Sequence, residues 1–167
     1  MDSLFLDASV LFTAAHRPQG KAAFLFQVQQ SRGAASPWRL LSSAYAIEEA
    51  RRNLVAKLPR AADDLAALVT NLQVVAQPAA ARLRLDLPAK DLPIWAAAHA
   101  SKATHLLTGD LRDFGSHMNQ PELTGGVLIQ TVGEYLAAFA RRLPPTAVAV
   151  VVRRWKSAAL VGDTGSL

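Results

Sequence analysis

Five short apolar runs, at residues 4–6, 38–41, 72–76, 105–108 and 127–130, alternate with longer stretches of helical periodicity. This alternation constrains the fold more than any other feature. Strands of a parallel sheet are buried on both faces, so they read as continuous apolar segments, and each pair needs a crossover, usually helical. The pattern predicts an α/β protein, a three-layer α/β/α sandwich with a mainly parallel central sheet.

Local signals fit that reading. A helix over Lys21–Arg32 is ended by Gly33, and the second apolar run is entered after Pro37. The Ser42-Ser43 pair offers a helix cap. From Ala44 to Lys57, Ile47, Ala50, Leu54 and then Leu58 recur at helical spacing, and Pro59 opens a further helix reaching about Thr70. Residues 91–102 form an alanine-rich helix with Pro93 in its first turn, where a missing amide donor costs little, and Ile94, Trp95 and Ala98 are expected in the core. A last helix runs over residues 131–142, and Pro144-Pro145 is the one evident boundary.

With 51% hydrophobic and 19% charged residues in 167, the chain has the composition of one globular domain. No apolar run approaches the roughly 20 residues of a spanning helix, and the longest, residues 147–152 (AVAVVV), is of strand length. No membrane association is expected. The amino terminus, MDSLFLD, carries acids where a secretory signal has positive charge, and there is no cysteine. The expected location is cytoplasmic, and thiolate zinc sites, disulfides and cysteine nucleophiles are excluded. The net charge of +5 lies mostly in the tail, where Arg141, Arg142, Arg153, Arg154 and Lys156 face only Asp163. Such a cluster suits phosphate contact, and equally suits simple solvation.

The acids carry the functional signal. Ligand sites of parallel sheets lie at the carboxyl ends of the strands. Asp7 directly follows the first run; Asp110 follows the fourth in Thr108-Gly109-Asp110, with Asp113 three residues on; Asp91 opens the helix leading into the fourth run. Glu48 and Glu49 lie on the helix after the second, flanking its apolar stripe on opposite sides, so the helical wheel does not choose between them. Two carboxylates about 4 Å apart repel by roughly 4 kcal/mol at an effective dielectric near 20, so convergence requires a cation. Hard divalent ions such as Mg²⁺ and Mn²⁺ take oxygen ligands and retain water. The four histidines, His16, His99, His105 and His117, show no metal-ligand spacing. Taken singly, Asp7 and Asp91 also read as helix caps, Asp110 and Asp113 as turn residues, and either glutamate as solvated surface. Thr108 is a strand-end hydroxyl suited to orienting a neighbouring acid.

The segments LFLDASVL (residues 4–11), SSAYAIEEARRNL (42–54) and DLPIWAAAHASKATHLLTGDLRDF (91–114) resemble the PIN domain. That family comprises metal-dependent ribonucleases, including VapC-type toxins of toxin–antitoxin pairs. The resemblance covers about residues 3–140. It implies a nuclease domain over residues 1–142 and an acidic site for one or two Mg²⁺ or Mn²⁺ ions, while the basic extension over 143–167 lies beyond the usual domain and is a departure from the family pattern. Carried over by position, the site acids are Asp7, Glu49, Asp91, Asp110 and Asp113. Glu49 is preferred to Glu48 for its spacing from Ser43 and Leu54. The resemblance also implies single-stranded or looped RNA as substrate, products with 5′-phosphate and 3′-hydroxyl ends, an antitoxin partner and a homodimer. Arg51, Arg52 and the tail cations are candidates for flanking phosphates. The main alternative is a non-catalytic PIN-like domain binding RNA or protein. An aspartyl-phosphate hydrolase fits less well, because the second acid it needs two residues after Asp7 is Ser9 here.

Overall fold

The computed structural model describes residues 1–79 and 85–147. Five strands, β1 (Asp2–Leu6), β2 (Trp38–Ser43), β3 (Gln73–Val75), β4 (His105–Leu107) and β5 (Leu128–Gln130), form one sheet in the order β3-β2-β1-β4-β5. All four pairings are parallel. The helices are α1 (Ala8–His16), α2 (Lys21–Arg32), α3 (Ala44–Lys57), α4 (Ala62–Val69), α5 (Leu92–Ala100), α6 (Leu111–Phe114) and α7 (Val132–Arg142). The expected three-layer α/β/α architecture is therefore the observed one.

Alternation along the strands divides the core into two. Leu4, Leu6, Trp38, Leu40 and Leu107 pack with α1, α2, α3, α4 and Tyr135 of α7 on one face. Phe5, Leu41, Leu106 and Ile129 pack with α5 and Phe114 of α6 on the other. Period-two burial of this kind fixes strand register, because a one-residue slip exchanges the two faces.

The elements differ from the sequence reading in instructive places. Helix α1, to which the sequence reading assigned no element, buries Ala8, Val10, Leu11, Ala14 and Ala15 on one face with Ser9, Thr13 and His16 on the other, but nine residues give too few turns for that period to stand out. The helix expected from Pro59 to about Thr70 is a 3₁₀ turn, Pro59–Ala61, followed by α4. Strand β2 runs on through the serine pair, and only Ser43 caps α3, accepting from the Ala46 amide, while Ser42 donates to the Leu6 carbonyl. Helix α7 begins with a capping box between Thr131 and Glu134. From residue 148 onward the apolar run and the cations Arg153, Arg154 and Lys156 lie outside the described residues. No helix among the described residues is long and apolar enough to cross a membrane.

Sheet order positions the site. The chain proceeds from β1 outward to β3 on one side, then to β4 and β5 on the other, so the direction of winding reverses between β1 and β4. Crevices at such reversals, outside the carboxyl ends of the strands, are where α/β sheets bind ligands. Leu6 pairs with Leu107 across this junction, and the Asp7 amide donates to the Leu107 carbonyl at 3.0 Å. Asp7 and Thr108 thus leave the sheet side by side.

Candidate metal centre

Asp7 is buried where β1 gives way to α1, and it caps that helix. Its Oδ1 accepts from the Ala8 amide at 2.7 Å, and Oδ2 accepts from Ser9 Oγ at 2.9 Å and Thr108 Oγ1 at 2.6 Å. Both hydroxyls are themselves held by the loop after β4: the Gly109 amide donates to Ser9 Oγ, and the Asp110 amide to Thr108 Oγ1, each at 3.0 Å. Burial raises the Asp7 pKa, opposed by the hydrogen bonds from Thr108, Ser9 and Ala8, and the nearby Asp110 charge raises it further.

Asp110 begins α6, with Oδ1 accepting from the Asp113 amide at 3.1 Å. Asp91 occupies the N-cap position of α5 but makes no side-chain capping bond, and its buried Oδ2 lacks a hydrogen-bond partner. Its carboxyl is therefore not serving as a cap. Among the described residues, Asp91, Asp110 and Asp113 each offer a carboxylate oxygen within 4.8 Å of the others. Burial, opposed by Lys90 and reinforced by Asp113 and Asp7, pushes the Asp91 pKa up to about 7.

The two glutamates of α3 separate cleanly. Glu48 is exposed and holds Arg51 through two hydrogen bonds, at 2.6 and 2.8 Å, with Arg52 4.0 Å away. Glu49 is half-buried and its Oε2 is an orphan, fully covered and unpartnered. Burial raises its pKa first, the Asp7 charge next, with Lys90 and Arg52 opposing and Asp110 reinforcing. Glu49 therefore sits in the field of the crevice acids, whereas Glu48 belongs to the helix surface. Asp7 and Glu49 adjoin the tight aspartate trio without being members of it.

Sequence reasoning missed Lys90. Its Nζ lies 2.5 Å from Asp113 Oδ2, 3.6 Å from Asp110 Oδ2 and 3.9 Å from Asp91 Oδ2. The Asp113 hydrogen bond holds the ammonium well above the usual lysine range, and Lys90 in turn lowers the Asp113 pKa. Tyr45, at the start of α3, anchors the same loop by donating its hydroxyl to the Lys90 carbonyl at 3.1 Å. The only advance signal was a lysine directly preceding an acid at a helix start.

Among the described residues, three aspartates share the Lys90 ammonium while Asp7 and Glu49 lie in the same field, so carboxylates outnumber the cations here and the donor set offered to a ligand is carboxylate oxygen. The buried oxygens of Glu49 and Asp91 that lack a hydrogen bond are the decisive observation, because such an acceptor loses hydration with little in return, Asp91 Oδ2 having only the Lys90 ammonium at 3.9 Å. A hard divalent cation fits this donor set in charge and in ligand type. The histidines stand apart: His99 stacks on Trp95, and His105 meets the Tyr135 ring edge-on.

This combination, a five-stranded parallel sheet in a three-layer sandwich with acids gathered where its winding reverses, defines a PIN-like fold. A solved structure of the same architecture is that of VapBC2 from Rickettsia felis bound to a DNA fragment from their promoter. It superposes with a TM-score of 0.57 at 14% identity, over 77% of this chain and 98% of that one. At that identity the likeness establishes the fold. No family model matches the sequence, and neither does any curated protein.

Proposed function

We propose that this chain is a metal-dependent endoribonuclease that hydrolyses RNA phosphodiesters and serves as the toxin of a toxin–antitoxin pair. Residues 1–142 are its nuclease domain and 143–167 a basic extension. The carrying observation is the pair of orphaned buried oxygens, Glu49 Oε2 and Asp91 Oδ2, beside Asp7, Asp110 and Asp113 at the sheet's reversal point.

In this reading Asp7, Glu49, Asp91, Asp110 and Asp113 hold one or two Mg²⁺ or Mn²⁺ ions. Such an ion, when bound, supplies a water of lowered pKa and offsets charge on the phosphoryl oxygens. The protein's share is positional. Thr108 and Ser9 fix the Asp7 carboxylate, the Asp113 amide fixes Asp110, and Tyr45 fixes the loop carrying Lys90 and Asp91. Water is the nucleophile: its oxygen adds to phosphorus, the bond to the 3′ oxygen breaks, and the water's proton ends on that oxygen. Arg52, exposed on α3 and close enough for its charge to be felt by Glu49, would meet a flanking phosphate. An antitoxin that covers the acids and a second copy of this chain complete the proposed set of partners; the VapBC2 likeness supports the first.

The test is cleavage of a single-stranded RNA by the purified protein with Mn²⁺, with Mg²⁺ and with chelator, alongside Asp91→Asn. Metal-dependent cleavage lost in the variant is expected. The competing reading, a PIN-like domain that binds RNA or protein without cleaving, draws on the Lys90 ammonium, which already compensates the aspartate trio. RNA binding with no cleavage under any metal condition would establish that reading instead.

A further inference from the structure

We propose that Lys90 is the site's own counter-cation and exchanges with the divalent ion: its ammonium holds the Asp91–Asp110–Asp113 pit together in the metal-free protein and leaves when metal enters. The proposal rests on the metal-site reading above and adds to it a competitor supplied by the same chain.

Three observations carry it. First, the ammonium is within 4 Å of one oxygen from each of the three aspartates that lie close enough together to share a metal. A cation in the same pit occupies the same ligands and the same charge deficit, so the two cannot be held there together without strong repulsion. Second, the pairing is incomplete. Asp91 Oδ2, at 3.9 Å, has no hydrogen bond, and Glu49 Oε2 is left orphaned, so one ammonium does not satisfy the acids around it. A compact point charge with three donors cannot serve so many oxygens. Third, exchange needs little rearrangement. The Lys90 side chain is 55% exposed on a four-carbon stem, while its backbone is anchored through the Tyr45 hydroxyl. The ammonium can therefore swing outward by rotamer change while Asp91, the next residue, stays in place.

The arrangement accounts for how acids this close persist without metal. It also implies that measured metal affinity is an exchange constant, lowered by the lysine that must be displaced.

The experiment is Mn²⁺ titration by calorimetry on the full chain, with thermal unfolding in chelator in parallel. The variants are Lys90→Met, which keeps the apolar stem, Lys90→Arg, which keeps the charge, and Arg52→Met, which removes a cation felt by Glu49 but outside the trio. Lys90→Met should bind Mn²⁺ on the order of tenfold more tightly than wild type, since a network of partly exposed pairs is no longer broken on binding. Its metal-free form should unfold at lower temperature and gain more from added Mn²⁺. Lys90→Arg should bind no more tightly than wild type, and Arg52→Met should change affinity by less than about threefold. Unchanged or weakened binding in Lys90→Met overturns the exchange while leaving the metal site standing. An equal gain in Arg52→Met reduces the effect to general charge and also overturns it. Failure of both wild type and Lys90→Met to bind Mn²⁺ overturns the metal-site reading and the exchange with it.

Discussion

Thr108 donates its hydroxyl hydrogen to Asp7 Oδ2 across 2.6 Å, tying the carboxyl ends of β4 and β1 together at residues 101 apart in sequence. Thr108 Oγ1 in turn accepts from the Asp110 amide. One buried hydroxyl thus orients two candidate ligands from two strands.

Removing that hydroxyl should be felt in both stability and metal binding. Thr108→Val leaves Asp7 short of a donor and the Asp110 amide short of an acceptor, at a cost of about 1–3 kcal/mol. Mn²⁺ affinity should fall by roughly 10- to 100-fold, the usual range for a group that orients a ligand. Thr108→Ser, which keeps the hydroxyl, should recover most of the affinity. Urea unfolding and Mn²⁺ titration of the three proteins provide the check; wild-type affinity in Thr108→Val would show that the bond does not orient a ligand.

Stability of the metal-free protein should decline as pH rises from about 4 to about 7. Asp91 titrates at about 7 in the folded chain and near its ordinary value, about 3.9, when unfolded. Between those values the native state holds a proton that the unfolded state has released, so unfolding is favoured by each increment of pH, and the decline levels off above about 7. The raised pKa values of Asp7 and Glu49 act in the same direction, while the lowered pKa values of His105, Asp2, Glu48, Asp113 and Glu134 act against it. Asp91→Asn should therefore flatten the profile and, above pH 7 in chelator, stabilise the protein by about 2–4 kcal/mol, while abolishing metal-dependent cleavage. The same slope in wild type and Asp91→Asn would mean that Asp91 is ionised and well compensated by Lys90.

Asp7→Asn should behave differently despite the shared upward shift. Asp7 Oδ2 accepts from two hydroxyls, each of which already accepts from a backbone amide. An amide nitrogen in that position presents hydrogens to two donors, so relief of charge is offset by lost hydrogen bonds. The expected outcome is loss of cleavage with a melting temperature at or below wild type, in contrast to Asp91→Asn. Equal stabilisation of both variants would show that charge alone governs the crevice.

Which of these features could be read in the sequence follows from how local their causes are. Asp7 and Asp110 each follow a short apolar run, so their place at strand ends was visible once the runs were read as parallel strands. The α1 helix was not visible, because its nine residues fall short of the window over which a helical period stands out, although Ser9, Thr13 and His16 line one side opposite the buried Ala8, Val10, Leu11, Ala14 and Ala15. Lys90 was invisible for another reason: its ion pairs with Asp110 and Asp113 depend on the β1–β4 junction bringing a distant loop beneath it. The choice between Glu48 and Glu49 depended on the rotation of α3, which Ala46, Ala50 and Leu54 set by packing inward.

That rotation makes the glutamates a sharp test. Glu49→Gln removes a half-buried carboxylate in the field of Asp7 and Asp110 and should reduce metal-dependent cleavage by roughly 100-fold or more, beyond what loss of an orienting group costs. Glu48→Gln severs only an exposed pair with Arg51, a class of interaction that contributes little, and cleavage should stay within about twofold of wild type. Initial rates at saturating Mn²⁺ decide it; the reverse order would place Glu48 at the metal and Glu49 outside it.

Deleting residues 148–167 should leave cleavage of a short oligonucleotide nearly intact but weaken binding of a longer RNA. Every proposed metal ligand lies within the described fold, whereas Arg153, Arg154 and Lys156, opposed only by Asp163, lie beyond it. Arg142, next to the extension, is already committed to Asp2 at 2.6 Å. For a single strand, each phosphate that the protein no longer neutralises should flatten the dependence of log affinity on log salt by roughly 0.7. Removal of three cations then predicts a slope shallower by about 2, measured in calcium so that binding is followed without turnover. An unchanged slope would mean that the extension does not touch RNA, and aggregation of the truncated chain would point to apolar surface that residues 148–152 normally cover.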